Sequence, residues 1–246
     1  LATPAEQAQL QWLYRVDTAN TTIIPPGVDL NVFYPRSREE AKRAIQAPID
    51  SFLLLFVGRI EALKGIDTLL HAVAVLRARG SCECGQLSLA IIGGDPDLPV
   101  ERQTDEMRRV MALRDELGLS ELVTFLGKQD QDALPDYYAA ADCVIMPSHY
   151  ESFGMVALEA MACGTPVIAS EVGGLAFLVQ DGTTGFTVPD QDPEALADRI
   201  CILVSDPALR ERMSQQAHRH AQGYGWPIVA RRILDVYRGL RVDPAL

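Results

Sequence analysis

Two glutamates, Glu151 and Glu159, lie on either side of the start of a predicted helix that Gly154 introduces. The first backbone amides of a helix have no partner inside it and lie at the positive end of its dipole, so they can hold a phosphate. Gly154 would let such a ligand approach the backbone closely. About eight helical positions cover about 12 Å, which roughly matches a diphosphate with a sugar on each side. Glu151 could accept hydrogen bonds from hydroxyls at one end of this ligand, and Glu159 from a ribose at the other.

A second stretch places two cations in one loop. Arg59 and Lys64 lie between a predicted strand and a predicted helix, and Gly58 and Gly65 flank them. Two cations there suit a diphosphate, which also gains negative charge when it leaves. These residues could instead be solvated loop charges, and the two glutamates could be ordinary helix-surface residues. The neighbouring glycines and the agreement of several site elements favour a functional role.

A sheet must bring these residues together, and the hydrophobic pattern predicts one. Continuous apolar runs predict strands that are covered on both faces. The predicted strands are residues 52–57, 87–92, 123–126, 143–146, 167–169 and 186–188. The predicted helices between them are residues 66–79, 100–117, 132–141 and 153–162. This alternation implies an α/β fold with a Rossmann-like doubly wound parallel sheet, which binds ligands beyond the carboxyl ends of its strands.

Cap residues predict where the remaining elements begin and end. Gly118 is placed as the residue that follows a helix end. A short strand is predicted at residues 22–24, and extra C-terminal helices end with an amphipathic one at residues 227–240. Helix starts with a side-chain cap are predicted at Thr3, Ser37, Asp192 and Asp206.

Composition narrows the class of protein. The net charge of −11 argues against a broad DNA- or RNA-binding face and gives no attraction to anionic membranes. No apolar run reaches the ~18 residues of a membrane helix, so no transmembrane segment is predicted. An odd number of cysteines, three of them in apolar stretches, predicts reduced thiols and a cytoplasmic protein. Cys82 and Cys84 are expected in a surface loop without zinc-finger partners. The cysteines are at positions 82, 84, 143, 163 and 201.

Several motifs, in order, resemble the family 4 retaining glycosyltransferases of the two-Rossmann-domain (GT-B) type. That family includes sucrose and sucrose-phosphate synthases and the inositol-phosphate glycosyltransferases of actinobacteria, the branches to which this sequence is most similar. The resemblance covers nearly the whole chain. Its motifs are IPPGVDLNVF at 24–33, VGRIEALKGIDTLL at 57–70, VTFLGK at 123–128, DYYAAADCVIMPS at 136–148 and PSHYESFGMVALEAMACGTPVIASEVGG at 147–174.

The resemblance implies a role for each matching residue. Glu151, Arg59 and Lys64 would be catalytic, with Glu151 on the donor sugar and the two cations on its diphosphate. Glu159 would hold the ribose hydroxyls, and the backbone of Lys128 would recognise the base. The remaining donor-binding positions are Gly58 and the backbone amides around Phe153, Gly154, Met155 and Val156.

The reaction implied is sugar transfer from a nucleotide-diphosphate sugar to a hydroxyl, with retention at the anomeric carbon. By resemblance it needs no metal, no separate cofactor and no enzyme nucleophile, and the sequence offers no obvious metal cluster. A UDP-sugar is the preferred donor, while GDP-mannose and an ADP-sugar stay open, and the acceptor is unknown.

The resemblance also predicts the domain organisation. The family's N-terminal Rossmann domain, with its Gly-rich acceptor loop and active-site His, has no counterpart in this sequence. Residues 1–48 are predicted to be the end of that domain plus a linker, residues 49–225 the nucleotide-sugar-binding domain, and residues 226–246 a helix returning toward the missing domain. The chain alone should therefore be inactive or very weak.

Other classes of function compete with transfer. A non-catalytic nucleotide-sugar-binding module would keep the same site, so it stays open. An NAD-dependent oxidoreductase needs G-x-G-x-x-G after the first strand, and no predicted strand end fits that pattern. The P-loop signature G-x-x-x-x-G-K-[ST] is absent as well.

Overall fold

The computed structural model describes residues 1–80 and 87–240. Within those ranges, six strands form one parallel sheet in the order β3-β2-β1-β4-β5-β6. The strands are β1 Phe52–Val57, β2 Leu87–Ile92, β3 Val123–Gly127, β4 Cys143–Met146, β5 Val167–Ser170 and β6 Gly185–Val188. The predicted Rossmann-like α/β fold is confirmed, and every predicted strand of the sheet forms within one residue of its predicted ends.

Helices connect the strands, and further helices precede β1 and follow β6 along the chain. Those described are α1 Pro4–Tyr14, α2 Arg38–Ala44, α3 Ile66–Arg79, α4 Asp105–Glu116, α5 Leu134–Ala140, α6 Met155–Ala162, α7 Leu175–Leu178, α8 Pro193–Ser205, α9 Pro207–Ala221 and α10 Trp226–Gly239. In the described part of the chain, no helix is both long and apolar enough to cross a membrane.

Both faces of the sheet are buried, which explains the continuous apolar runs. Along β1, Leu53 and Leu55 belong to one hydrophobic cluster, while Leu54 and Phe56 belong to the other, because successive strand residues point to opposite faces. Helices α5, α6 and α9 cover the first face, and α3, α4 and α8 cover the second. The doubly wound arrangement follows from this two-sided burial.

The predicted caps form, with one change of partner. Thr3 Oγ1 accepts from the Glu6 amide at 3.1 Å, and Glu6 Oε2 accepts from the Ala2 amide at 2.6 Å rather than from that of Thr3. Gly118 has a φ of +67°, as predicted for a residue just past a helix end. The side chains of Ser37, Asp192 and Asp206 cap α2, α8 and α9.

Two groups of predicted boundaries are wrong. Residues 22–24 do not form a strand. Among the described residues, their backbone is hydrogen-bonded to Leu1, through bonds of 3.0 and 2.8 Å, and to no strand of the sheet. Three helices start later than predicted, since a short 3₁₀ turn or a left-handed glycine occupies the first predicted turn. Their observed first residues are Asp105, Leu134 and Met155.

The prediction that every cysteine is a reduced thiol is wrong at Cys201, which is disulfide-bonded. Cys201 lies on α8, and no spacing rule applied to the sequence distinguishes it from the other cysteines. Cys143 and Cys163 are free and buried. The predicted surface loop with Cys82 and Cys84 lies outside the described residues, and a cytoplasmic location stays a prediction.

Candidate functional site

A cavity opens where the carboxyl ends of β1 and β4 meet. These neighbouring strands mark the reversal of the strand order, since β1 continues to β2 on one side and β4 to β5 on the other. Ligands of doubly wound sheets bind at such a switch point. The cavity has a volume of about 270 Å³. It is lined by Phe56, Val57, Gly58, Arg59, Lys64, Met146, Ser148 and residues 151–156.

The structure brings most of the predicted site residues together in this cavity, which we call the donor cavity after the donor-binding role that the sequence resemblance predicts for them. Glu159 and Lys128 are the two that are not among its lining residues. The predicted residues that do line it are Gly58, Arg59, Lys64, Glu151, Phe153, Gly154, Met155 and Val156.

The loop after β1 lies directly against the loop after β4. A 3₁₀ turn, Ala62–Lys64, ends at Gly65, whose φ of +63° is left-handed. A Cβ at Gly65 would lie 1.9 Å from the carbonyl oxygen of Pro147, so glycine is required for this approach. The His149 amide also donates to the Leu63 carbonyl at 2.9 Å. The two loops are therefore joined backbone to backbone.

This contact places Lys64 beside Glu151. Lys64 Nζ lies 2.7 Å from Glu151 Oε2, and the two side chains are only 20% and 15% exposed. The Gly174 amide, in the loop after β5, donates to the Glu151 carbonyl at 2.9 Å and fixes this turn. An ammonium has three donors and a carboxylate several acceptor positions. Each group therefore keeps capacity for a ligand, Lys64 for an anion and Glu151 for hydroxyls.

Arg59 is positioned quite differently from Lys64. Its side chain is 78% exposed and its guanidinium lies 2.8 Å from Glu61 Oε1. Exposed ion pairs of this kind contribute little to stability. The guanidinium can therefore exchange Glu61 for a phosphate at small cost.

Helix α6 directs its amino end into the donor cavity. Gly154 precedes it with a φ of +104°, and no side chain of the described residues caps the helix. A Cβ on Gly154 would lie 2.6 Å from a methyl carbon of Leu175, so this turn requires glycine. The helix begins at Met155, two residues after the predicted start at Phe153. Its first amides are left for an anion.

Glu159 lies further along the same helix. It follows Met155 by four residues and Val156 by three, which places it on the helix face that carries these two cavity residues. Its Oε2 accepts a hydrogen bond from the Tyr138 hydroxyl at 2.8 Å. Burial raises the pKa of Glu159, while donation from Tyr138 acts in the opposite direction.

Lys128 lines a second cleft, of about 250 Å³, that adjoins the donor cavity. Arg59 lines both spaces, and Gly94 and Asp95 lie beside Lys128. Lys128 Nζ is 2.8 Å from Asp95 Oδ2 and its side chain is 72% exposed. The side chain is thus largely exposed and pairs with a carboxylate of the same cleft, and the Lys128 backbone, directly after β3, lies at the edge of the sheet.

Ser148 is a cavity residue to which sequence reasoning gave no role. It is fully buried, it lines the donor cavity, and its hydroxyl has no hydrogen-bond partner within the described residues. A buried hydroxyl without a partner costs about 1–3 kcal/mol, and a ligand oxygen would supply the missing bond. Its position directly beyond β4, at the ligand-binding edge of the sheet, was the signal that could have identified it.

Comparison with known proteins covers almost the whole chain. Residues 37–220 match the family model described as Glycosyl transferases group 1. The D-inositol 3-phosphate glycosyltransferase of Frankia alni is 41% identical over 237 residues, which are 96% of this chain and 57% of that protein. The chain thus spans a little more than half the length of this relative.

Two solved structures are similar over nearly the same extent. Sucrose-phosphate synthase from Thermosynechococcus elongatus has a TM-score of 0.85 and 38% identity, over 98% of this chain and 57% of that one. HepE from Anabaena, solved in complex with UDP-glucose, has a TM-score of 0.80 and 25% identity, over 95% and 62% of the two chains. The sheet and its helices therefore correspond to part of each larger chain.

Proposed function

Because this chain belongs to the glycosyl transferases group 1 family, we propose that it is the donor-binding half of a retaining glycosyltransferase. It moves a sugar from a nucleotide-diphosphate sugar, preferably a UDP-sugar, to a hydroxyl acceptor. The observation that carries this proposal is the convergence of Arg59, Lys64, Glu151 and the amino end of α6 on one cavity. Cations, free amides and a carboxylate together suit a ligand with an anionic centre and a hydroxyl-bearing end.

The diphosphate binds at the amino end of α6. Free amides there and the helix dipole favour an anion, and Arg59 and Lys64, in the loop after β1, add two positive charges. The Ser148 hydroxyl donates to one of the phosphate oxygens. When the bond to the sugar breaks, the leaving diphosphate gains charge, and donors already in place stabilise it. Positive charge is thus supplied by side chains and backbone, consistent with a reaction that uses no metal.

The sugar and the nucleoside lie on opposite sides of the diphosphate. Glu151, beside Lys64, accepts hydrogen bonds from the sugar hydroxyls. Glu159 accepts from the ribose, and the base occupies the cleft beside Lys128, where a backbone N–H and C=O can pair with its edge. HepE, whose fold matches this chain, was solved with UDP-glucose, which supports a UDP-sugar as the donor.

We propose that the whole protein has an N-terminal Rossmann domain, and that this domain packs beside α1 and α10. Large apolar side chains are exposed on both helices, and exposed apolar patches often mark an interface. On α10 only Val229 is buried. The exposed apolar side chains are Trp12, Leu13 and Tyr14 on α1, and Trp226, Ile228, Ile233, Leu234 and Tyr237 on α10.

Calorimetry with UDP, GDP and ADP tests the donor site directly. UDP is expected to bind most tightly. Arg59→Ala and Glu159→Ala are each expected to weaken binding by about tenfold, because each removes a charged side chain that hydrogen-bonds the nucleotide. Arg43→Ala, which removes an exposed ion pair on α2 and lines neither the donor cavity nor the cleft beside Lys128, is the control. Lack of binding to all three nucleotides would reject the proposal.

A non-catalytic nucleotide-sugar-binding module is the second candidate. The observation that favours it is that the residues lining the donor cavity can hold a nucleotide sugar without any acceptor-binding residue. In a two-domain enzyme, domain closure completes the site, so the isolated chain is expected to release UDP from UDP-glucose at least about 100-fold more slowly than a longer protein that includes the upstream sequence. Equal rates would show that the upstream half is not required. A longer protein that binds UDP-glucose without turnover would favour the module.

A further inference from the structure

Tyr138 is a fully buried tyrosine on α5 with its hydroxyl directed at Glu159. The ring is 0% exposed and packs at 6.0 Å from that of Phe33. The Tyr138 carbonyl accepts from Thr165 Oγ1 at 2.6 Å, which fixes the backbone at this point. Phenylalanine would fill the same apolar space, so the hydroxyl needs a separate explanation, and buried tyrosine hydroxyls are normally retained for a partner.

That partner is one oxygen of the Glu159 carboxylate. The Tyr138 hydroxyl donates to Oε2 at 2.8 Å, while no donor among residues 1–80 and 87–240 contacts Oε1. A carboxylate can accept several hydrogen bonds. The contact therefore restricts the Glu159 side chain through one oxygen and leaves the other one available on the helix face that carries Met155 and Val156.

We propose that Tyr138 is a positioning residue that holds the Glu159 carboxylate so that its free oxygen accepts a ribose hydroxyl of the nucleotide. This inference rests on the proposed function, specifically on the ribose contact of Glu159. Tyr138 does not touch the nucleotide. It acts by removing the rotational freedom that Glu159 would otherwise lose on binding, and this pre-organisation strengthens recognition of ribose and of no other part of the ligand.

The electrostatics of the pair supply a second, independent readout. Burial raises the pKa of Glu159, and the Tyr138 hydroxyl bond opposes that rise. Cys163 is the other titratable group that interacts with Glu159, and its own pKa is raised to about 12 by burial, so it stays neutral. Without the Tyr138 hydroxyl the pKa of Glu159 rises further. The ionised carboxylate is the stronger acceptor, so ribose recognition is lost when Glu159 becomes protonated. Without the Tyr138 hydroxyl, this protonation occurs at a higher pH than in the wild type.

The test compares Tyr138→Phe with the neighbouring Tyr137→Phe, whose hydroxyl donates to Gln129 at 3.3 Å. Affinities for UDP and for 2′,3′-dideoxy-UDP are measured by calorimetry between pH 5 and 9, and their ratio is the ribose discrimination. Protonation of the phosphates affects both affinities equally, so it does not change this ratio. Tyr138→Phe is expected to lower the ribose discrimination by about three- to tenfold near neutral pH. In this variant, the discrimination should also disappear at a higher pH than in the wild type. Tyr137→Phe should show the same ribose discrimination as the wild type. Tyr138→Phe should bind dideoxy-UDP with the same affinity as the wild type.

Each outcome separates this inference from the proposed function. Wild-type discrimination that Tyr138→Phe leaves intact overturns the positioning role alone. Equal binding of UDP and dideoxy-UDP by the wild type overturns it together with the ribose role of Glu159, and no UDP binding overturns the proposed function. If Tyr138→Phe does not fold, Glu159→Asp, too short to reach the Tyr138 hydroxyl, is measured instead, and retained discrimination there also overturns the inference.

Discussion

Replacing Lys64 by methionine is expected to weaken UDP binding by about ten- to a hundredfold, because a hydrogen bond to a charged group contributes about 1.5–3 kcal/mol. Lys64 is the better enclosed of the two cations in the donor cavity, with 20% of its side chain exposed against 78% for Arg59. Water screens an enclosed charge less. The loss for Lys64→Met should therefore exceed the loss for Arg59→Ala.

Methionine is chosen because it keeps the length of the lysine stem and removes only the charge. It leaves Glu151 without its partner at 2.7 Å, so thermal unfolding must show that the variant is folded before affinities are compared. Calorimetry with UDP gives the affinity, and Arg43→Ala again serves as the matched loss of one surface charge. Unchanged UDP affinity in folded Lys64→Met would mean that the diphosphate binds away from the loop after β1.

The sheet and the cavity loops could be predicted from sequence because local patterns determine them. A strand buried on both faces must be a continuous apolar run, and β1 and β4 both are. Parallel strands end at one edge of the sheet, so the residues that follow them must lie near one another. Arg59, Lys64 and Glu151 therefore come together as expected, although their mutual distances depend on contacts such as the approach of Gly65 to Pro147.

Contacts between distant segments could not be predicted in this way. The Tyr138 hydroxyl reaches Glu159 across two helices, and no spacing rule connects them. The late start of α6 depends on the left-handed φ of Gly154. The side chain of Leu175 leaves no room for a Cβ at this position, so only glycine fits there. Each of these features is determined by contacts between segments that are distant in the sequence, and local sequence patterns do not show such contacts.

Asp142 is expected to be the residue on which stability depends most among the described charged groups. It directly precedes β4, and its side chain and that of Lys42 are each 5% exposed, with Lys42 Nζ 3.1 Å from Asp142 Oδ2. The same oxygen accepts from the Leu53 amide of β1 at 3.0 Å. Arg38 and Arg210 lie at 3.4 and 3.5 Å from the other carboxylate oxygen.

Asp142→Ala removes the counter-ion of the buried Lys42 ammonium and the acceptor of the Leu53 amide. Lys42 Nζ keeps only the neutral carbonyls of Ile49 and Ser51 as acceptors, and breaking a buried ion pair on one side typically costs about 3–5 kcal/mol. We expect the free energy of unfolding to fall by about that amount, with a decrease in Tm of about 10 °C. Chemical denaturation followed by circular dichroism measures the first and a thermal scan the second.

Asp136→Ala is the matched control, because it breaks an ion pair with Arg36 whose side chains are 33% and 28% exposed. Partly exposed pairs contribute about 0–1 kcal/mol, so this variant should unfold close to the wild type. A similar loss for both variants would mean that burial does not set the strength of the Asp142 contacts. Because Asp142 joins the start of β4 to the start of β1, the two strands that carry the donor-cavity loops, its loss should also weaken UDP binding at temperatures where the variant begins to unfold.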